Sequence, residues 1–509
     1  MKKIFSITSL CCLLLAGGGC EKFLEESSQN EVRPSTVADL EQLMTGEVYP
    51  IGTTMHNYLE LLTDNVESNF YNSSMVPAFL QRWESVFTWQ AEMYELLDAI
   101  GASGNPGVRI DSYEHYYTRI KGCNVILDML DAVRGEEGDK ANLCGQALGM
   151  RAWFYFMLVN LYGQPYNAPG VDPGTTPGVP LILLSGVKDE LPRRAPVAEV
   201  YRQVEADLLE ALPLLEAHGQ GNSKYKVTDM FICTLLSRLY LYKEEWEEVE
   251  RYASLGLAKN AQLSNLADYI AGAAVGTFSD GVYGLGSPEA IWYGYGTNNE
   301  HVSFDWTGFY RFATYVASTG LKTLYEYQND PDNRMDMRYR YYYMWEATIT
   351  TYPSAALTVG TKRSALATSA SGSVKGMRVA ELYLNRAEAN ARRFLLGGDD
   401  TRRTAALADL NQLRRHRYDT RNVAYQPVNI TDAAALLAFC LDERRRELNF
   451  EDHRWFDLRR LGMPRLEHTI QVDAEQAPQT YVLEQGGLRY VLPIPRYVLD
   501  KNPALVPNP

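Results

Sequence analysis

A charged and aromatic run at residues 443–460 constrains the fold more than any other part of the chain. Its arginines alternate with carboxylates and with Phe450, Trp455 and Phe456. A guanidinium pairs bidentately with a carboxylate and stacks on a ring, which favours a partly desolvated position. A solvated helix face, with Asp442 and Arg446 paired across one turn, would explain the charges but not the aromatics. The run therefore predicts a buried ionic seam with a structural role, formed by Arg444, Glu447, Glu451, Arg454, Trp455 and Asp457.

Helical spacing of apolar residues dominates the rest of the chain. One such stripe holds Leu148, Ala152, Tyr155 and Val159, and similar stripes lie within residues 200–211 and 380–394. Thr228 is placed to cap a helix, and after the short turn at residues 243–245 a second amphipathic helix begins. This pattern predicts a helical hairpin of the tetratricopeptide type.

Residues 262–375 are rich in Gly, Ser, Thr and aromatics, with short β-like runs such as residues 290–293. Residues 481–483 and 490–492, on either side of a glycine-containing turn, predict a small β-hairpin that Pro493 and Pro495 would end. We expect one compact, mainly α body with a loop-rich region and short β-hairpins. Binding residues concentrate in such loops because loop sequence varies without unfolding the core.

Several segments in the same order resemble the SusD/RagB family of nutrient-binding outer-membrane lipoproteins. They are the run at 443–460 and residues 116–124, 145–156, 162–166, 381–389, 408–414 and 492–495. The resemblance implies a SusD-like fold with a tetratricopeptide-like scaffold of helical hairpins. It also implies an N-terminal helical region at 20–260 and a C-terminal region at 261–509 that contains the loop-rich insert 262–375.

The resemblance further implies a cell-surface protein that captures a glycan in polysaccharide utilisation. Such a protein would deliver the glycan to a partner TonB-dependent (SusC-like) outer-membrane transporter. Two alternatives remain open: a lid of such a transporter whose cargo is a peptide or another nutrient, and, less favoured, a glycoside hydrolase. The family assigns no ligand contacts to particular positions of this chain.

The N-terminus has the order of a secretion signal. Lys2 and Lys3 precede an apolar stretch that is shorter than the ~20 residues of a membrane span, and small residues then precede Cys20. This pattern resembles a lipobox and predicts a signal peptide at 1–19, with Cys20 as the acylated first residue of a protein anchored at the outer membrane and exposed at the cell surface. Ordinary signal peptidase cleavage is the alternative.

Sugar binding needs aromatic faces for C–H groups and polar side chains for hydroxyls. Trp306 and Tyr310 lie beside Gly308 and polar residues, so we predict them as ligand contacts, with Tyr71 and Trp345 as further candidates. Trp292 and Tyr293 lie in a β-like run, which favours a core position instead.

Other classes of site find little support. Carboxylates such as Asp64 and Glu67, or Glu451 and Asp452, are close in sequence, but this alone does not indicate a pair of catalytic carboxylates. The sequence contains no hydrolase, metalloprotease or phosphate-loop motif. We therefore predict no catalytic residue, metal site or cofactor.

The net charge of −14 disfavours nucleic acid as a ligand. Outside the N-terminal segment the cysteines are scattered without metal-ligand spacing, which favours buried free thiols over a disulfide.

Overall fold

The computed structural model describes residues 33–70, 76–102, 112–186, 189–221, 223–270, 282, 286–296, 315–326, 336–338, 344–345, 358–359, 375–421, 423–472 and 475–508. The secondary structure in these ranges is mainly helical, with a few short strands. This confirms the predicted mainly α fold. Among the described helices, none combines the length and the apolar composition needed to cross a bilayer.

The helices of the first half are α1 (Val37–Leu43), α2 (Val76–Phe87), α3 (Met93–Ala102), α4 (Ser112–Met129), α5 (Glu137–Tyr162), α6 (Val197–His218), α7 (Asp229–Lys243), α8 (Trp246–Lys259) and α9 (Leu266–Ile270). Those of the second half are α10 (Thr319–Lys322), α11 (Val379–Gly397), α12 (Asp400–Arg415), α13 (Ala433–Leu448), α14 (Arg454–Arg460) and α15 (Arg496–Lys501). A 3₁₀ turn at Leu59–Leu62 precedes the first strand. The family-like segments at 381–389 and 408–414 lie in α11 and α12.

The predicted helical hairpin is formed by α7 and α8. The Thr228 hydroxyl accepts a hydrogen bond from the Phe231 N–H and so satisfies one unpaired donor at the start of α7. Glu244, in the left-handed conformation with φ 60°, ends α7 and reverses the chain. Helix α11 packs against α8, and α12 packs against α11, so helix packing continues from the hairpin into the C-terminal part of the chain.

Helix α5 lies at the centre of the N-terminal half and is buried on almost every side, not only along its predicted stripe. Close packing around it depends on small residues. A Cβ atom at Gly145 would come 2.7 Å from Leu215 Cγ of α6, and one at Gly149 would come 2.8 Å from Ile232 Cδ1 of α7. Glycine therefore lets both helices approach the α5 backbone.

The strands are β1 (Val66–Ser68), β2 (Ala290–Tyr295), β3 (Tyr315–Ala317), β4 (Met344–Trp345), β5 (Thr358–Val359), β6 (Lys375–Arg378), β7 (Leu466–Ile470) and β8 (Gln479–Leu483). In the described part of the chain they form four antiparallel pairs: β1 with β3, β2 with β6, β4 with β5 and β7 with β8. Trp292 and Tyr293 are buried in β2, as predicted.

The predicted hairpin between residues 481–483 and 490–492 is wrong. Residues 481–483 belong to β8, which pairs with β7 upstream, and Leu488–Tyr490 forms a 3₁₀ turn. The alternating burial of residues 466–470 gives β7 an apolar face for this pairing. Gly486, with φ +65°, turns the chain away after β8.

The apolar residues that the structure describes pack into one large cluster, which runs from Val37 to Ile494, and a smaller cluster between α11, α12 and α13. The four described cysteines, Cys123, Cys144, Cys233 and Cys440, are free thiols. All of them except Cys144 are buried, which agrees with the prediction of buried free thiols and no disulfide.

Candidate ligand-binding site

The predicted ligand contacts lie mostly outside the described residues. Trp306, Tyr310 and Tyr71 fall outside them, as does Cys20, while Trp345 is the second residue of β4. The structure does describe the strands that border these segments. Those strands show which parts of the chain are brought together.

Strands β1 and β3 pair so that Ser68, the last residue of β1, lies opposite Tyr315, the first residue of β3. The chain therefore leaves β1 toward Tyr71 and enters β3 after Trp306 and Tyr310 at the same end of this ladder. Strand β5, the partner of β4, lies against β3. Three segments that carry predicted contacts thus border one group of strands.

A buried polar cluster holds two further segment ends. Tyr295, at the end of β2, lies opposite Lys375, at the start of β6. The Tyr295 hydroxyl donates to Asp452 Oδ2 at 2.8 Å, and the Lys375 ammonium donates to Asp452 Oδ1 at 2.7 Å. Asp452 is therefore bonded to the residues that precede the segment 297–314 and follow the segment 360–374.

His56 completes this cluster from the N-terminal part of the chain. Its Nε2 lies 3.1 Å from Asp452 Oδ2, and its Nδ1 lies 2.5 Å from the Tyr116 hydroxyl. Burial lowers the pKa of His56, against the opposing effect of the Asp452 charge. A neutral ring that carries its proton on Nε2 donates to Asp452 and accepts from Tyr116, so both contacts are satisfied.

The electrostatics of Asp452 follow from these neighbours. Burial alone would raise its pKa, but Lys375 and His56 hold the pKa of this carboxyl well below its usual range. Asp452 is thus an ionised carboxylate in the protein interior. Its backbone has φ 62°, a left-handed conformation that Asp adopts more readily than most residues.

The ionic seam lies next to this cluster and is centred on Glu447. Its carboxylate accepts hydrogen bonds from Arg338 at 3.1 Å, Arg378 at 2.9 Å and Arg417 at 2.9 and 3.0 Å. All four side chains are fully buried. Although burial opposes ionisation, these guanidinium groups hold the pKa of Glu447 well below its usual range.

The structure places the other five predicted seam residues as follows. Glu451 accepts from Arg378, and Arg444 pairs with Asp457 at 2.8 Å. Arg454 makes two bonds with Asp64, at 2.7 and 2.8 Å, which join α14 to the N-terminal segment. Trp455 is fully buried and stacks on Tyr490 at 5.1 Å between ring centroids. Arg446 bonds Glu443 rather than Asp442, so the pairing expected for a solvated helix face is not formed.

Comparison with known proteins agrees with this architecture. A family model described as "SusD family" matches residues 288–509, and one described as "Starch-binding associating with outer membrane" matches residues 22–241. The chain belongs to the SusD family. No curated protein matches the sequence.

Solved structures share the SusD fold over nearly the whole chain. A SusD superfamily protein from Bacteroides thetaiotaomicron is 22% identical with a TM-score of 0.68, over 93% of this chain and 100% of that one. A putative sugar binding protein from Bacteroides vulgatus is 21% identical with a TM-score of 0.68, over 94% and 99%. A SusD-like carbohydrate binding protein from Bacteroides vulgatus is 20% identical with a TM-score of 0.63, over 92% and 97%. At these identities the likeness establishes the SusD fold.

Within this SusD-family fold, the carboxylates considered for hydrolysis have structural partners. Asp64 pairs with Arg454, and Glu67 accepts from the Thr319 N–H at 2.9 Å. Glu451 and Asp452 are held by Arg378 and Lys375. Among the described residues, no group of His, Cys, Asp or Glu is arranged to hold a metal ion.

Sequence reasoning missed the polar cluster and the three arginines that bond Glu447 from outside the run at 443–460. His56, Lys375 and Arg338 were not singled out, because the sequence around none of them indicates a partner in the polar cluster or in the run at 443–460. Lys375 is separated from Asp452 by 77 positions, and His56 by 396. No local pattern identifies partners at such separations. Only the run at 443–460, which places many seam residues together, gave a signal.

Proposed function

We propose that this protein is a non-enzymatic, lipid-anchored protein of the cell surface that binds a glycan and passes it to a TonB-dependent transporter of the outer membrane. The description of the N-terminal family model, "Starch-binding associating with outer membrane", supports both the ligand class and the membrane. The signal pattern before Cys20 supports the lipid anchor.

One observation supports glycan binding most directly: the ends of the aromatic, amide-rich segments converge on a rigid scaffold. Ser68 and Tyr315 face each other in one ladder, and Tyr295 and Lys375 are both bonded to Asp452. A binding site must hold its contacts in place before the ligand arrives, because ordering mobile loops would consume binding free energy. Fixed segment ends reduce that cost.

The ligand contacts in this proposal are Trp306, Tyr310, Tyr71 and Trp345. Aromatic rings would stack on the C–H faces of sugar rings, while amides and carboxylates in the same segments would bond the hydroxyls. In this scheme the buried ionic seam has no contact with ligand. Its arginines and carboxylates hold the scaffold that presents the segments.

Retention on immobilised polysaccharides, combined with an assay for reducing ends, tests this function. Soluble starch, xylan, mannan and polygalacturonate, each coupled to beads, cover neutral and acidic glycans. Retention on at least one glycan without release of reducing ends is the expected result. Release of reducing ends would show a hydrolase. Absence of retention on every glycan, by folded protein, would favour a transporter lid for another nutrient.

A further inference from the structure

A groove lies between helix α2 and described residues of the β7–β8 hairpin, outside the polar cluster and the seam. Its volume is about 180 Å³. Six of its lining residues are Gln81, Glu84, Ile470, Val472, Gln476 and Gln479. We refer to it as the hairpin groove.

The hairpin groove is lined by four polar side chains and three apolar ones, the latter being Ile470, Val472 and Ala477. Gln81 and Glu84 are three residues apart on α2 and therefore share one helix face. Gln476 and Gln479 line the groove from the hairpin. Ile470 is almost fully buried, and in the ladder it pairs with Gln479.

The polar groups of the walls are complementary to hydroxyls. The Tyr481 hydroxyl donates to Gln479 Oε1 at 2.9 Å, which leaves the amide N–H groups of Gln479 to donate elsewhere. Among the described residues, the Glu84 carboxylate has no hydrogen-bond or ion-pair partner, and burial raises its pKa above the usual value. An ionised carboxylate only accepts, and a sugar hydroxyl both donates and accepts. The groove therefore offers amide donors from Gln479 and carboxylate acceptors from Glu84, and the Gln81 amide supplies both kinds of group.

The charge and size of the groove narrow the ligand class. The seven described residues that line it include no lysine or arginine, so an anionic group would find no cation there. Its volume is below the roughly 300–1,000 Å³ of pockets that enclose drug-sized ligands. A neutral ring with hydroxyls around its edge and C–H groups on its face matches both properties.

The hairpin itself is braced against α2 and β1. The Ser68 hydroxyl, at the end of β1, donates to the Thr469 carbonyl of β7 at 2.6 Å. The Thr469 and Thr480 hydroxyls bond across the hairpin at 2.9 Å, and Gln471 Nε2 donates to the Gln476 carbonyl at 3.0 Å. The groove is thus preformed, and it lies beside the end of β1.

We propose that the hairpin groove is a subsite for one ring of a neutral oligosaccharide, with Gln81, Glu84 and Gln479 bonding its hydroxyls. This inference rests on the proposed glycan-binding function and adds to it a subsite that recognises sugar hydroxyls. The groove holds a single ring, and the remainder of the glycan chain extends along the surface.

Calorimetric titration of the detergent-solubilised full-length protein with maltoheptaose, cellohexaose, xylohexaose and mannohexaose tests the subsite. The double variant Gln81→Ala/Gln479→Ala is compared with wild type and with Gln426→Ala, a matched control at an exposed glutamine between α12 and α13. The groove variant is expected to bind about tenfold more weakly, since it loses two hydrogen-bonding side chains, while the control binds as wild type does. All three proteins should have the same Tm.

Three results would count against the subsite. Equal affinity of the groove variant and wild type would exclude the groove but leave the proposed function intact, whereas no binding of any of these sugars by wild type would count against both. Hydrogen exchange of wild type with bound sugar gives a second measurement if the groove variant is unstable. Added protection in peptides that cover 76–87 and 466–483 is expected, and protection confined to other peptides would contradict the proposal.

Discussion

The ammonium group of Lys375 lies 2.7 Å from Oδ1 of Asp452, and both side chains are buried. This ion pair joins the start of β6 to the turn between α13 and α14. Tyr295 bonds the same carboxylate, so one residue next to the seam fixes the ends of two segments. The charged run near the C-terminus therefore does more than join helices, because it also positions the segments proposed to bind ligand.

Asp452→Asn should lower the free energy of unfolding by about 3–5 kcal/mol, because it leaves the buried Lys375 without its charged partner. Asparagine also tolerates the left-handed backbone at this position. The loss of stability therefore measures the effect of removing the Asp452 charge and not of backbone strain. Urea denaturation measures the effect. Asp500→Asn, which breaks an exposed pair with Arg496, is the control and should change the stability by less than ~0.5 kcal/mol. Similar losses in both variants would contradict this account of Asp452.

Glu60→Gln should change how stability depends on pH. Burial, together with the nearby Asp452 carboxylate, raises the pKa of Glu60 from 4.5 to about 7. The folded protein thus keeps a proton on Glu60 that the unfolded chain releases. The stability that this proton contributes is complete below pH 4.5 and is lost as the pH rises through 7.

Between pH 4.5 and pH 7, wild type should lose about 3 kcal/mol of stability relative to Glu60→Gln. Urea denaturation at several pH values measures the difference between the two proteins. Parallel stability curves would mean that Glu60 is ionised in the fold.

Gly376→Ala should destabilise the protein by about 1–3 kcal/mol, because a Cβ atom there would overlap the Trp292 carbonyl oxygen of the paired strand. Gly397→Ala is the control. No atom lies within 4 Å of a Cβ at that position, the last residue of α11, so alanine should stabilise the helix by up to ~1 kcal/mol. Thermal unfolding of both variants checks the sign of each effect, and a tolerated Gly376→Ala would refute the close approach of β2 and β6.

Trp306→Ala should weaken glycan binding by at least about tenfold if Trp306 stacks on a sugar ring. Its stability should change little. The control is Trp292→Ala, which empties a fully buried position and should cost about 3–5 kcal/mol of stability. Calorimetry and thermal unfolding of the same samples separate the two outcomes, and equal losses of binding and stability for Trp306→Ala would identify it as a core residue.

Cys20→Ala should release the protein from membranes without changing its fold, because the acylated thiol is the proposed anchor. Fractionation of cells that lack the partner transporter measures this, since the transporter could otherwise retain the protein. The unchanged chain in the same cells is the control. If Cys20→Ala remained in the membrane fraction, the lipid anchor would be wrong.

Much of the scaffold was predictable because its signals are local. The apolar stripes, the Thr228 cap and the mixture of charges with Trp455 each lie within a few turns of helix, and the structure places each in a helix or at its end. The β7–β8 pairing was missed, although the alternation at residues 466–470 was available as a signal. A strand's own sequence does not say which other strand it pairs with. The glycine-containing turn after residue 483 favoured pairing with residues 490–492, whereas β8 pairs with β7.

The polar cluster could not be predicted, for a physical reason. His56, Tyr116, Tyr295 and Lys375 contact one another or Asp452 only after distant parts of the chain have folded together. A lone histidine or lysine carries no information about a partner that lies hundreds of positions away. The aromatic candidates rest on composition and neighbours, so they remain predictions.

Calorimetric titration of the protein from Glu21 onward with neutral and acidic polysaccharides, oligosaccharides and peptides tests the central claim most directly. We predict saturable heat with at least one glycan and no release of reducing ends. A folded protein that gave saturable heat with peptides alone, or that bound none of these ligands, would contradict glycan capture by this chain.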